Sequence, residues 1–105
     1  MTPKDWTLLA IAAAQSKPLQ PVHLQKSLFL LSENLTRSQL QVDQFYTFRA
    51  HDYGPFCSDV YVDAEALCGE GLVRIDRPSG VSYRLYCPTD EGLSASAKGG
   101  SRLRP

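Results

Sequence analysis

Apolar residues recur at the spacing of an α-helix in three stretches of the chain, most clearly in residues 58–70. Ser58 is a suitable N-cap, and Gly71 can adopt the left-handed conformation that ends many helices. We therefore expect a helix that begins at Ser58 and ends near Glu70. Its buried face follows the i, i+4, i+7, i+8 spacing and comprises Val60, Ala64, Leu67 and Cys68.

Two further helices are predicted before this one. Thr2 and Asp5 can form a capping box around Pro3, and Pro21 suits the first position of the second helix. The inward stripe of the first helix comprises Trp6, Leu9, Ala10 and Ala13. The second helix has apolar positions at Leu24, Leu28, Leu31 and Leu35 and a polar side at His23, Gln25, Lys26 and Glu33. Residues 36–44 are polar and irregular, which predicts a loop.

Strands are predicted at residues 45–49, 72–76 and 81–87, from aromatic and β-branched content and from alternation. Residues 77–80, Arg-Pro-Ser-Gly, would turn the last two strands into a hairpin. Alternation directs one set of hairpin side chains to the core: Val73, Ile75, Val81, Tyr83, Leu85 and Cys87. It directs Arg74, Arg84 and Tyr86 outward. Across the chain, the side chains expected to be mostly buried are Trp6, Leu9, Leu28, Leu31, Phe48, Leu67, Leu72 and Tyr83.

A rigid corner is expected at residues 53–56, Tyr-Gly-Pro-Phe, because Gly54 tolerates a positive φ and Pro55 fixes its own φ. The order helix, helix, strand, helix, hairpin is that of a winged helix, with residues 72–87 as the wing. We therefore expect an α+β fold with three helices and one small antiparallel sheet. In that sheet, residues 45–49 would pair with the wing hairpin.

The 105 residues suffice for one modest core, which we assign to a winged-helix domain at residues 1–93. Residues 94–105 are small, polar and without periodicity, which predicts a disordered basic tail. No apolar run approaches the roughly 20 residues that a membrane-spanning helix needs. The first residues do not follow the pattern of a secretory signal. These features predict a cytoplasmic protein without membrane contact.

The cysteines Cys57, Cys68 and Cys87 are odd in number, widely spaced and placed at apolar positions, which predicts buried free thiols. No Cys-x-x-Cys motif occurs, and His23 and His51 lack the spacing of metal ligands, so we expect no structural metal.

A thiol nucleophile with a base and an orienting acid could be assembled from Cys57, His51 and Asp52. No glycine-rich oxyanion loop accompanies these residues, and no phosphate-binding glycine loop occurs in the chain. We therefore expect a protein that is not an enzyme and that uses no cofactor and no small-molecule substrate.

The formal net charge of zero conceals an uneven distribution. Residues 1–93 carry eight Lys or Arg residues and all eleven acids, which gives this part −3. The third helix, which enters the major groove in DNA-binding winged helices, contains four acids and no cation, so phosphates would repel it. The candidate nucleic-acid contacts are the wing arginines Arg74, Arg77 and Arg84. Solvated arginines on an exposed hairpin explain the same pattern.

Apolar residues on the acidic third helix favour a protein contact or a homodimer seam. The candidate protein-contact surface comprises Asp59, Val62, Asp63, Ala66 and Tyr86.

Four groups of residues together resemble the pattern of small bacterial YwgA-like proteins and of the Panacea domain of SocA-type antitoxins. These groups are Leu24-Gln25-Lys26 with Phe29-Leu30; Tyr53-Gly54-Pro55-Phe56; Leu67 with Gly71-Leu72-Val73; and Tyr83, Leu85, Thr89 and Gly92. The similarity spans most of residues 6–93, and its most specific part is the aromatic strand that leads into the tetrapeptide. The resemblance implies a non-enzymatic regulatory domain of winged-helix type, which in the Panacea case binds and neutralises a protein toxin.

Taken together, the charge pattern and the resemblance predict a non-catalytic regulatory or interaction domain, antitoxin-like or adaptor-like, that binds a protein partner. The alternative is a winged-helix transcriptional regulator that contacts DNA through the wing arginines.

Overall fold

The computed structural model describes residues 2–14, 17–37, 45–51 and 54–101. In this part the chain combines four helices with two small antiparallel sheets, which confirms the α+β class and corrects the expected three helices to four. The elements are α1 (Pro3–Ala13), α2 (Pro21–Arg37), β1 (Arg49–His51), β2 (Gly54–Phe56), α3 (Ser58–Gly69), β3 (Val73–Asp76), β4 (Leu85–Pro88) and α4 (Asp90–Ser101).

The first two helices begin where the sequence predicts. At the start of α1, the Asp5 backbone amide donates to Thr2 Oγ1 at 3.3 Å, and the Thr2 amide donates to Asp5 Oδ2 at 2.8 Å. This reciprocal pair is the expected capping box. Helix α2 begins at Pro21 and runs to Arg37, so the start of the predicted loop at residues 36–44 is helical. Residues 38–44 lie outside the described part of the chain.

Helix α3 buries the face that its periodicity predicts. Val60, Ala64 and Leu67 are almost completely excluded from solvent, whereas Cys68 is half-buried. The N-cap is Cys57 rather than Ser58. At the other end Gly71 has a φ of +80°, and the Leu72 amide donates to the Leu67 carbonyl oxygen at 3.0 Å. The helix therefore ends in the left-handed cap that was expected.

The predicted three-stranded sheet with residues 45–49 is wrong. Strand β1 pairs with β2, which places His51 opposite Gly54, and β3 pairs separately with β4. Gly54 has the expected positive φ, +113°, and it begins strand β2. Tyr53, the first residue of the predicted corner, lies outside the described part of the chain. Only two residues separate β1 from β2, so their pairing closes a far shorter loop than pairing with the distant wing would require.

The hairpin predicted to be the wing has shorter strands than expected, and some of its side chains point to the opposite face of the sheet. Its strands end at Asp76 and resume at Leu85, which leaves residues 77–84 as a loop. Val81 and Tyr83 are therefore exposed, and the expectation that they are buried is wrong. Tyr86, which was expected to point outward, is 1% exposed.

The reason for the inward position of Tyr86 lies in its neighbours on both sides. Tyr86 pairs with Ile75 of β3, and directly paired residues share one face of a sheet. On the other edge of β4, the Leu19 amide donates to the Tyr86 carbonyl at 3.0 Å, and the Tyr86 amide donates to the Leu19 carbonyl at 2.9 Å. Leu19, in the segment between α1 and α2, thus forms a single antiparallel bridge to the free edge of β4.

Helix α4 (Asp90–Ser101) includes residues 94–101, which were predicted to belong to a disordered tail. Residues 102–105 of that tail lie outside the described part of the chain. Thr89 starts the helix: its Oγ1 accepts from the Gly92 amide at 3.0 Å and donates to the Gly71 carbonyl at 2.7 Å. A Cβ at Gly92 would lie 1.9 Å from the Leu72 carbonyl oxygen, so only glycine fits there. The helix packs against α1 and β4, which explains why its weak sequence signal still yields an ordered element through Ser101.

One core unites these elements, and α1 contacts α2, α3, α4 and β4. Among the eight side chains expected to be buried, Trp6, Leu28 and Leu67 are buried and Tyr83 is 39% exposed. The remaining four, which are half-buried and pack against the core, are Leu9, Leu31, Phe48 and Leu72.

Candidate functional site

An open groove of about 1020 Å³ lies between α1, the segment around β1 and α3, and we name it the α1–α3 groove. One side is formed by the first residues of α1, including Lys4, and another by Phe45, Tyr46 and Arg49 ahead of and within β1. The third side is the first half of α3. Three residues predicted to contact a protein line this side, namely Asp59, Val62 and Asp63.

Tyr46 connects the helices on either side of the groove. Its hydroxyl donates to Asp63 Oδ2 at 2.5 Å, lies 3.0 Å from the Pro3 carbonyl oxygen and is 2.6 Å from Thr7 Oγ1. Burial raises the pKa of Tyr46, and the hydrogen bond to Asp63 raises it further. The neutral tyrosine therefore acts as a hydrogen-bonded link between α1 and α3.

Gln25 fixes the start of α3 against α2. Its Nε2 donates to the Cys57 carbonyl oxygen at 2.8 Å, and the Cys57 amide donates to Gln25 Oε1 at 2.9 Å. Gln25 is 3% exposed, so its expected place on the polar side of α2 is wrong. Its spacing of three residues from the buried Leu28 is the sequence signal that indicates an inward position.

The outer face of α3 carries the exposed residues of the candidate protein-contact surface. Val62 is 64% exposed, the largest exposed fraction among the large hydrophobic residues that are described, and Asp59 and Ala66 are also exposed. Asp63 is half-buried at the groove. Tyr86 does not belong to this surface, because its side chain is buried on the core side of the β3–β4 hairpin. We name Asp59, Val62, Asp63 and Ala66 the α3 outer face.

The acids of α3 and its cap differ in how far they are neutralised within the molecule. Glu70 pairs with Lys4 at 2.6 Å, and this hydrogen bond raises the pKa of Lys4. Glu65 pairs with Arg84 at 3.4 Å. Asp59 forms no ion pair with a residue in the described part of the chain. Within the described part of the chain, Asp59 is thus an exposed carboxylate near Val62 without an ion pair.

Two of the three candidate nucleic-acid contacts are engaged within the protein. Arg74 Nε lies 3.0 Å from Asp76 Oδ1, and Arg84, besides its ion pair, lies over the ring of Tyr61 with its guanidinium carbon 5.4 Å from the ring centre. Arg77 is exposed in the loop of the wing. The wing therefore presents less unpaired positive charge than its three arginines suggest.

The structure describes some of the residues considered for thiol chemistry and for metal binding. Cys57 and Cys87 are buried free thiols, as predicted, and Cys68 is half-buried and free. Cys57 is the residue clamped by Gln25, whereas Asp52 and the side chain of His51 lie outside the described part. Within that part, no three His, Cys, Asp or Glu residues are grouped so as to hold a metal ion. Among the described helices none has the length and apolar character to span a bilayer.

Comparisons of the chain with protein-family models, with curated proteins and with solved structures found no match. The geometry of the α3 outer face and of the α1–α3 groove is therefore the basis for a functional proposal.

Proposed function

We propose that this chain is a non-catalytic interaction domain of winged-helix type that binds a protein partner through the α3 outer face and the α1–α3 groove. The observation that carries the proposal is the exposure of Val62 on a helix whose opposite face is fully buried. An exposed apolar residue beside a large groove, with polar residues around it, is typical of protein interaction sites.

The arrangement of the wing supports the winged-helix part of the proposal. Helix α3 is followed directly by the β3–β4 hairpin, and Leu19 extends that hairpin on the free edge of β4. A winged helix places a further strand position beside the wing hairpin, and here the isolated Leu19–Tyr86 bridge supplies it instead of residues 45–49. Helix α4 is additional to the three helices of that fold. The β1–β2 hairpin is then an insertion between the second and third helices.

Binding of DNA through α3 and the wing is the less favoured function. Phosphate groups near the α3 outer face would meet the carboxylates of Asp59 and Asp63, and two wing arginines are already paired. Surface ion pairs contribute only about 0–1 kcal/mol, so a strong anion could still displace them. This alternative therefore predicts that DNA binding depends on Arg74, Arg77 and Arg84.

Site-specific photo-crosslinking distinguishes the two functions. A photoreactive residue placed at Val62, in cells that make the protein, should give a discrete protein adduct. The same residue at Leu30, which is also exposed and apolar, serves as the matched control. An adduct that nuclease removes, or none that is specific to Val62, would contradict the proposal.

Gel-shift measurements at physiological ionic strength complete the test. Wild type and an Arg74, Arg77, Arg84 triple-alanine variant should both bind a DNA duplex no more than weakly. Specific, salt-sensitive binding that disappears in the variant would instead support the DNA-binding function.

A further inference from the structure

The α3 outer face and the α1–α3 groove form one continuous surface, because Asp59, Val62 and Asp63 belong to both. Asp59 and Asp63 are four residues apart on α3, and positions at this spacing lie on the same side of a helix. Val62 lies between them in sequence. The surface thus combines an exposed apolar side chain with two carboxylates one helical turn apart.

These two carboxylates differ from the other acids of the same region. Glu65 and Glu70 have cationic partners, Arg84 and Lys4. Asp63 uses Oδ2 to accept the Tyr46 hydrogen bond, and its charge helps to raise the pKa of Lys4 across the groove. Neither Asp59 nor Asp63 forms a direct ion pair with a cation of the described residues. A partner that covers Val62 would remove water from both carboxylates, and this desolvation is costly unless the partner supplies cations.

From this charge distribution we infer the chemistry of the partner, and the inference rests on the proposed function. The α3 outer face takes a protein segment in which an apolar side chain packs on Val62 and flanking Lys or Arg side chains pair with Asp59 and Asp63. An acidic segment would place like charges against these carboxylates. Lys4 and Arg49 line other sides of the groove and would repel cations, so the basic side chains of the segment would lie toward α3.

The test is a selection from a library of random peptides displayed on phage, with the wild-type chain as the target. Enriched peptides should combine an apolar residue with neighbouring Lys or Arg residues. Their binding should weaken as salt is added, since the charged pairs lie at the surface.

Charge reversal at Asp59 locates the binding site of the enriched peptides. Asp59→Lys should weaken binding by about tenfold or more, because like charges would then face each other. The matched control is Asp90→Lys, since Asp90 is also an exposed aspartate in the first turn of a helix, α4. This control should change the affinity by less than about twofold, and thermal melting of both variants verifies that they are folded.

Each contrary outcome bears on a different claim. Acidic or uncharged enriched peptides, no enrichment, or equal losses in Asp59→Lys and Asp90→Lys would overturn the inferred chemistry. A protein adduct at Val62 together with such a result would leave the proposed function intact. Absence of the Val62 adduct would contradict the proposed function itself.

Discussion

The two faces of α3 differ strongly in their exposure to solvent. On the inner face, Val60, Ala64 and Leu67 are at most 1% exposed. On the outer face Val62 is 64% exposed and stands beside Asp59. The inner face accounts for the packing of the helix, whereas most of the apolar group at Val62 is in contact with water. This difference is why we assign the outer face to binding.

Truncation of the inner face should have the largest effect on stability. Leu67→Ala leaves a cavity among fully buried neighbours and should lower the free energy of unfolding by about 2–5 kcal/mol. Chemical denaturation measures this change. Leu30→Ala makes the same truncation at a residue that is 51% exposed, and we expect it to cost less than about 0.5 kcal/mol. Equal losses in the two variants would show that the inner face is assigned incorrectly.

Removal of the two hydrogen bonds between Gln25 and the Cys57 backbone, which we call the Gln25 clamp, should have the second largest effect on stability. Gln25→Met keeps the side-chain volume but leaves the Cys57 amide without its buried partner, at a cost of about 1–3 kcal/mol. The Cys57 carbonyl loses one hydrogen bond and still accepts from the Val60 amide at 3.2 Å. Lys26→Met, at the exposed neighbouring position, is the control and should leave the denaturation midpoint nearly unchanged. A midpoint in Gln25→Met equal to that of wild type would mean that this clamp does not hold α3.

Loss of the Tyr46 hydroxyl should have a smaller effect, about 0.5–1.5 kcal/mol, because Asp63 borders the open groove and can regain water. The effect should depend on pH. Burial first, and the hydrogen bond to Asp63 second, raise the pKa of Tyr46, so the folded state retains a proton that the unfolded state releases. The contribution of the Tyr46 hydroxyl to folding stability is therefore complete below about pH 10, the ordinary pKa of tyrosine. This contribution falls as the pH rises further.

Tyr46→Phe should accordingly reduce the alkaline loss of stability without abolishing it. Burial also raises the pKa of Tyr86, which keeps its share of the pH dependence in the variant. Denaturation midpoints of both proteins across alkaline pH measure the difference. Parallel pH profiles would show that the Tyr46 hydroxyl does not titrate with a raised pKa.

Periodicity predicted the inner face of α3 because its apolar residues follow the helical repeat. The same reasoning missed Gln25, since a buried amide is recognised by the backbone groups it meets and those lie 32 residues away. It missed the inward direction of Tyr86 because pairing with Ile75 and Leu19, and not local alternation, sets its face. Helix α4 was missed because its packing depends on contact with α1 and on the close approach at Gly92.

Of the candidate contact residues, Asp59, Val62 and Ala66 are exposed, as a protein-contact surface requires. The sequence could not predict the groove, which forms only when α1, the segment before β1 and α3 come together around Tyr46. Nor could it show which acids are compensated, because Lys4 and Glu70 are 66 residues apart in the chain. Both features depend on tertiary contacts, and the functional proposal depends on both.

Truncation of the outer face should have the smallest effect on stability. Val62→Ala removes side-chain atoms that are mostly in contact with water, and alanine has a higher helix propensity than valine. We expect the free energy of unfolding to change by less than about 0.5 kcal/mol. The same variant should nevertheless bind the enriched peptides more weakly, since the apolar contact at this surface is lost. A stability loss comparable to that of Leu67→Ala would mean that Val62 supports the fold, and the contrast between the two faces of α3 would then no longer indicate a binding site.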